Sequence, residues 1–148
     1  LVTPQTGSQT EIVTKDGRAS TFIGHPDRDG PHPIVVFLMD APGIREELRD
    51  MCRRFASCGY YVMLPNLYYR EGVEELGKID PDPESESRKQ MYDLMNSLSI
   101  RMVLDDVEAM VKGRDRCTAL MHPDDTAARG IAAPRREVER ALEQLGHQ

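Results

Sequence analysis

The stretch Ile34-Val35-Val36-Phe37-Leu38-Met39, followed at once by Asp40-Ala41-Pro42-Gly43, decides the fold. Six consecutive apolar residues are what a strand covered on both faces requires, so this segment is predicted as a central strand of a parallel sheet. The Asp-Ala-Pro-Gly quartet breaks the strand. Beyond it, Ile44, Leu48, Met51, Cys52 and Phe55 recur at helical spacing among charged residues, which predicts an amphipathic helix. Gly59 signals its end, and Tyr60-Tyr61-Val62-Met63-Leu64 follows as a second apolar strand stopped by Pro65. Strand, helix and strand in this order predict a right-handed parallel crossover.

Working outward, residues 11–14 and 19–23 flank Asp16-Gly17, whose glycine tolerates the positive φ of a tight turn, so a β-hairpin opens the fold. A polar loop, residues 25–33, separates it from the first central strand. Downstream, residues 71–83 are acidic and Pro-containing, ending in Asp80-Pro81-Asp82-Pro83, and read as an exposed excursion with only a weak case for calcium binding. Met91, Leu94, Met95 and Leu98 line one helical stripe; Ile100, Val103, Leu104, Val107, Met110 and Val111 line another. From Lys112 the period is lost, and Cys117-Thr118-Ala119-Leu120-Met121 is the one segment there that offers a short strand. Residues 134–145 regain a helical stripe, with Pro134 in its first turn and Gly146 as its stop.

A length of 148 residues fits one domain, in which residues 112–148 form a divergent tail. No apolar run reaches the roughly 18 residues of a membrane helix, and residues 1–10 lack a signal-peptide pattern, so a cytoplasmic protein is expected. With 19 Lys and Arg against 25 Asp and Glu, and no basic block, the chain carries no electrostatic footprint for nucleic acid or an anionic membrane. Cys52, Cys58 and Cys117 are odd in number and irregular in spacing, which predicts reduced thiols rather than a disulfide framework or a zinc site. No metal or cofactor is expected; His122, Asp124 and Asp125 lie too close together without a scaffold to make a strong metal signal.

Residues 34–45 together with Tyr60-Tyr61-Val62-Met63-Leu64-Pro65-Asn66-Leu67-Tyr68-Tyr69-Arg70 resemble the dienelactone hydrolase family of α/β-hydrolases. The similarity runs from residue 11 to residue 111 and includes Arg88-Lys89-Gln90-Met91-Tyr92-Asp93-Leu94. It implies an incomplete three-layer α/β-hydrolase sandwich, with an N-terminal β-hairpin, parallel strands and covering helices. It also implies hydrolysis of a lactone or small carboxylic ester by a cysteine nucleophile in a triad with aspartate and histidine. On that resemblance Asp40 takes the place of an acidic residue that contacts the nucleophile, one methylene shorter than the glutamate common there. The backbone N–H of Ala41 becomes an oxyanion-hole donor, since Pro42 has none, and Arg88 becomes the guanidinium that grips a substrate carboxylate.

Plainer readings stand beside these. Asp40 caps the following helix, or Arg88 pairs with Glu84 one helical turn away. Tyr68-Tyr69-Arg70 either lines a pocket, which makes Tyr68 a substrate-binding candidate, or packs the sheet edge. The family's nucleophile turn, G-x-C-x-G or G-x-S-x-G, occurs nowhere in the chain. Cys117 is a poor substitute without a preceding apolar strand, and Cys52 and Cys58 read as inert packing thiols. Asp125, or Asp124, with His147 is the remaining acid and base pair, and His25, His32 and His122 read as solvated. The chain is therefore expected to be a truncated or internally deleted member, inactive alone. The competing expectation is a non-catalytic module binding small carboxylates or a sister subunit. Loss of further strands would leave a sheet edge open to self-association.

Overall fold

The computed structural model describes residues 5–28 and 31–121, with side chains for residues 7–28 and 31–113. The architecture below is that of the compact unit that ends at residue 118. Strand β1 (Gln5–Thr14) pairs antiparallel with β2 (Gly17–Pro26) along its whole length, from Thr14 opposite Gly17 to Gln5 opposite Pro26. The two loop residues are Lys15 and Asp16, so the turn sits one position before Asp16-Gly17. Thr14 closes it, its hydroxyl accepting from the Asp16 N–H at 3.2 Å and donating to the Gly17 carbonyl at 3.2 Å.

Strand β3 (Ile34–Val36), helix α1 (Glu46–Ser57) and strand β4 (Tyr61–Pro65) form the predicted parallel crossover, with Ile34 opposite Tyr61. Strand β4 also pairs antiparallel with β2, which joins hairpin and crossover into one mixed sheet of order β1-β2-β4-β3. Helices α2 (Glu86–Ser97) and α3 (Ile100–Met121) follow, matching the two predicted stripes in order. No helix among the described residues is long and apolar enough to cross a membrane.

Alternation along the strands builds a core on each face. Phe22, Val62 and Leu64 join Ile44, Leu48, Cys52 and Ala56 beneath α1. The intervening positions face α3: the Thr21 hydroxyl lies 3.6 Å from the Met110 sulfur. Burying a side chain such as Leu48 in this way stabilises by about 2 kcal/mol. This is the expected three-layer arrangement, with helices on both sides of a sheet.

Several expectations need correction. The strand at residues 34–39 is neither central nor six residues long: β3 ends at Val36, although the Phe37 N–H still reaches the Met63 carbonyl at 2.8 Å. It lies at the end of the sheet and is only half-buried, because no further strand covers it among the described residues. On α1 the buried line is Leu48, Cys52 and Ala56 after Ile44, an i to i+4 row, whereas Met51 and Phe55 are exposed on the flank towards β3. His25 is not solvated; it is the penultimate residue of β2, buried, stacked on Tyr61, with Nδ1 2.9 Å from the Pro26 carbonyl oxygen. Helix α3 continues past Lys112 to Met121, so Cys117 has helical backbone and ends no strand. Gly113 permits close packing there, since a Cβ would meet the Ile12 side chain at 3.3 Å. The predicted C-terminal helix at residues 134–145 lies outside the described residues.

Candidate active site

The residues after β3 form a loop fixed from several directions. A tight turn is closed by the Gly43 N–H on the Asp40 carbonyl at 3.0 Å. The neighbouring segment straps it down: the Ile44 N–H donates to the Glu74 carbonyl at 2.8 Å, and the Leu76 N–H donates to the Pro42 carbonyl at 3.0 Å. Gly43 is required at the crossing point, because its φ is +90° and a Cβ would lie 2.3 Å from the Glu74 carbonyl oxygen. Tyr68 supports the loop from below, its hydroxyl donating to the Ala41 carbonyl at 3.0 Å. Tyr68 is itself held by Asn66, whose side-chain oxygen accepts the Tyr68 N–H while its amide donates to Val73.

The carbonyls of residues 40–43 are thus all engaged, the last by an Arg45 guanidinium N–H at 3.3 Å. The Ala41 N–H, in contrast, donates to no described residue. A donor left over in a loop whose other groups are committed is the arrangement an oxyanion site needs.

Asp40 does not cap α1; Arg45 occupies the cap position without a side-chain hydrogen bond. Instead the Asp40 carboxylate takes the Arg45 guanidinium as a two-pronged pair, with Oδ2 2.8 Å from Nη2. That pairing holds the Asp40 carboxyl below its usual range against a smaller opposing effect of burial. Burial, with a contribution from the Asp40 charge, pushes the Tyr68 hydroxyl up. Tyr68 is almost wholly buried, so its hydroxyl serves the loop rather than open solvent.

Arg88 lies on α2 and donates to the Pro81 carbonyl at 3.0 Å; Lys89, not Arg88, stands near Glu84. No hydrogen bond or ion pair joins Arg88 to Asp40, Ala41 or Tyr68 among the described residues. Cys52 is buried on the inward row of α1, its thiol pushed up to about 12 by burial, so it stays a protonated packing group. Cys58 is exposed. Asp124, Asp125, His122 and His147 lie outside the described residues. No group of metal-ligating side chains forms among those described. Sequence reasoning missed Arg45 and the strap at Glu74 and Leu76. Only the Pro-Gly pair before Arg45 hinted at a constrained loop.

The geometry meets independent similarity to known proteins. Residues 19–120 match the profile of the Dienelactone hydrolase family. A protein of Yersinia pestis named “Putative carboxymethylenebutenolidase” is 30% identical over 101 residues, covering 68% of this chain and 35% of the relative. One of the same name from Escherichia coli K12 is 32% identical over 108 residues, covering 72% and 37%. The chain therefore spans little more than a third of the curated relatives it matches. Among solved structures, “Putative Dienelactone Hydrolase from Klebsiella pneumoniae” superposes with a TM-score of 0.62 at 25% identity, covering 83% of this chain and 47% of the other. A dienelactone hydrolase-like promiscuous phosphotriesterase from metagenomic libraries shares the fold, with a TM-score of 0.51 at 17% identity over 72% and 43% of the two chains.

Proposed function

This chain belongs to the dienelactone hydrolase family, and on that premise we propose that it carries the oxyanion side of a lactone- or carboxylic-ester-hydrolysing site and does not turn over substrate by itself. The single supporting observation is the uncommitted Ala41 N–H in a loop whose carbonyls are all taken. In ester cleavage the carbonyl oxygen gains negative charge as a nucleophile adds, and a preorganised N–H stabilises that charge without reorganising. Asp40 stands beside this donor, already ionised and oriented by Arg45. The attacking group is what the chain lacks, since no glycine-flanked cysteine or serine turn occurs in its sequence. Reduced thiols at Cys52 and Cys58 fit a cytoplasmic setting.

The test uses p-nitrophenyl acetate and dienelactone with the purified chain. The expected rate equals that of buffer, in wild type and in Cys117→Ser alike; saturable turnover that vanishes in Cys117→Ser overturns the proposal. A positive arm joins the chain to the remaining part of the Escherichia coli relative. In that fusion, Ala41→Pro removes the N–H and lowers kcat roughly 100-fold or more with little change in KM.

A second reading has its own support. Arg88 is the guanidinium the family resemblance assigns to a substrate carboxylate, and it makes no ion pair among the described residues, only the contact to Pro81. A non-catalytic module binding small carboxylates is then the alternative. Calorimetry with a cyclic dicarboxylate decides: saturable binding lost in Arg88→Ala, without turnover, favours the module.

A further inference from the structure

The strap that crosses the candidate loop, residues 73–76, has no buried side chain to anchor it. It is bounded by Gly72 at φ +68° and Gly77 at φ +69°, and a Cβ at either glycine would meet no atom within 4 Å among the described residues. Packing therefore does not set its position, and polar contacts must. Glu74 is the residue of the strap whose side chain bonds to other elements: its Oε1 accepts from Arg49 Nη2 of α1 at 3.0 Å and from Gln9 Nε2 of β1 at 3.1 Å. Arg49 is itself steadied from its own helix, with Nη1 3.5 Å from Glu46 Oε2. The main chain of the same glutamate meets the loop, since its carbonyl accepts the Ile44 N–H at 2.8 Å and the next residue, Glu75, bridges to Gly43.

We propose that Glu74, clamped by Arg49, is a positioning residue that aims the Ala41 N–H, an inference that rests on the oxyanion reading above. The route is short and made of rigid parts. The Asp40 carbonyl and the Ala41 N–H belong to one peptide plane, so fixing the carbonyl fixes the direction of the donor. The Gly43 N–H holds that carbonyl at 3.0 Å, and Gly43 can sit only where the strap lets it, because the Glu74 carbonyl and the Glu75 bridge press on it from one side. The clamp on the Glu74 side chain thus decides where Gly43, and through it the donor, comes to rest. Helix α1 and strand β1 are the fixed bodies against which the strap is referenced. A donor that wanders loses the benefit of preorganisation, which is what an oxyanion site depends on.

Amide hydrogen exchange, read residue by residue by NMR on the 148-residue chain, is the first arm of the test. Glu74→Gln keeps the shape and removes the charge; Arg49→Met removes the clamp. In each, exchange of the Ile44 and Leu76 N–H groups is expected to rise about fivefold, while Phe22 and Leu64 in the sheet keep their rates. The double variant is expected to exchange no faster than either single one, because both remove the same contact. The second arm uses the fusion with the Escherichia coli relative described above, where Glu74→Gln and Arg49→Met lower kcat several-fold at unchanged KM and Arg49→Lys retains most of it. Unchanged exchange at Ile44 and Leu76, an equal rise throughout the sheet, or an additive double variant overturns the clamp. If Ala41→Pro lowers kcat and Glu74→Gln does not, the positioning role of Glu74 falls alone; if Ala41→Pro leaves kcat unchanged, the oxyanion reading itself falls.

Discussion

Gly43 carries more of the candidate site than its size suggests. Its backbone adopts φ +90°, and the strap segment passes so close that any side chain meets the Glu74 carbonyl. Gly43→Ala therefore combines left-handed strain with a backbone clash and is expected to cost at least about 2 kcal/mol, read as a lowered urea midpoint. Asp40 acts at the same scale through charge. Its carboxyl is held below the ordinary 3.8 by Arg45, so the pair's contribution is complete above that pH and is lost as the pH falls through the lower folded value. The carboxylate is half-exposed, so the effect is small. The expected outcome is a stability curve whose decline below pH 4 flattens in Asp40→Asn, measured by urea titration at stepped pH. The position of Asp40 and Ala41 was legible in the sequence because a loop that follows an apolar strand and contains Pro-Gly has few shapes open to it. Their partners were not, since Arg45, Tyr68 and Glu74 reach the loop by contacts that no local period encodes.

Elements were legible where one physical demand dominates. Strand β4 and helix α1 were found by unbroken apolarity and by helical spacing, and Gly59, at φ +104°, stops α1 as expected. Strand β3 is shorter than its apolar run because a strand extends only as far as its neighbours hold it, and β4 is its one neighbour among the described residues. What holds α3 to the hairpin was invisible: Asp106, 1% exposed, accepts both prongs of Arg70 at 2.9 Å and the Tyr69 hydroxyl at 3.0 Å. Arg70 in turn reaches Asp16 in the hairpin turn, and Tyr69 reaches Thr14. A carboxylate inside an apolar stripe reads as a solvent-side residue until its cation is known. Removing one partner leaves a buried charge uncompensated, so Asp106→Leu is expected to cost about 3 kcal/mol in urea unfolding. The double variant Asp106→Leu with Arg70→Met is expected to recover part of that loss, because neither charge remains to be desolvated.

For the whole molecule, the question is how much of the chain the fold needs. Every buried side chain among the described residues lies between Ile12 and Met110, and the compact unit ends at residue 118. The core under α1, the Asp106 network and the loop with its strap all fall inside that span. The hydrogen bonds described for the candidate loop all join residues between Asp40 and Leu76. A chain ending after Met121 is therefore expected to unfold in one cooperative transition within a few degrees of the 148-residue protein, followed by circular dichroism. It is also expected to keep the acid-side behaviour of Asp40, whose partner Arg45 it retains. A broad, non-cooperative melt of the shortened chain would mean that stability depends on residues 122–148.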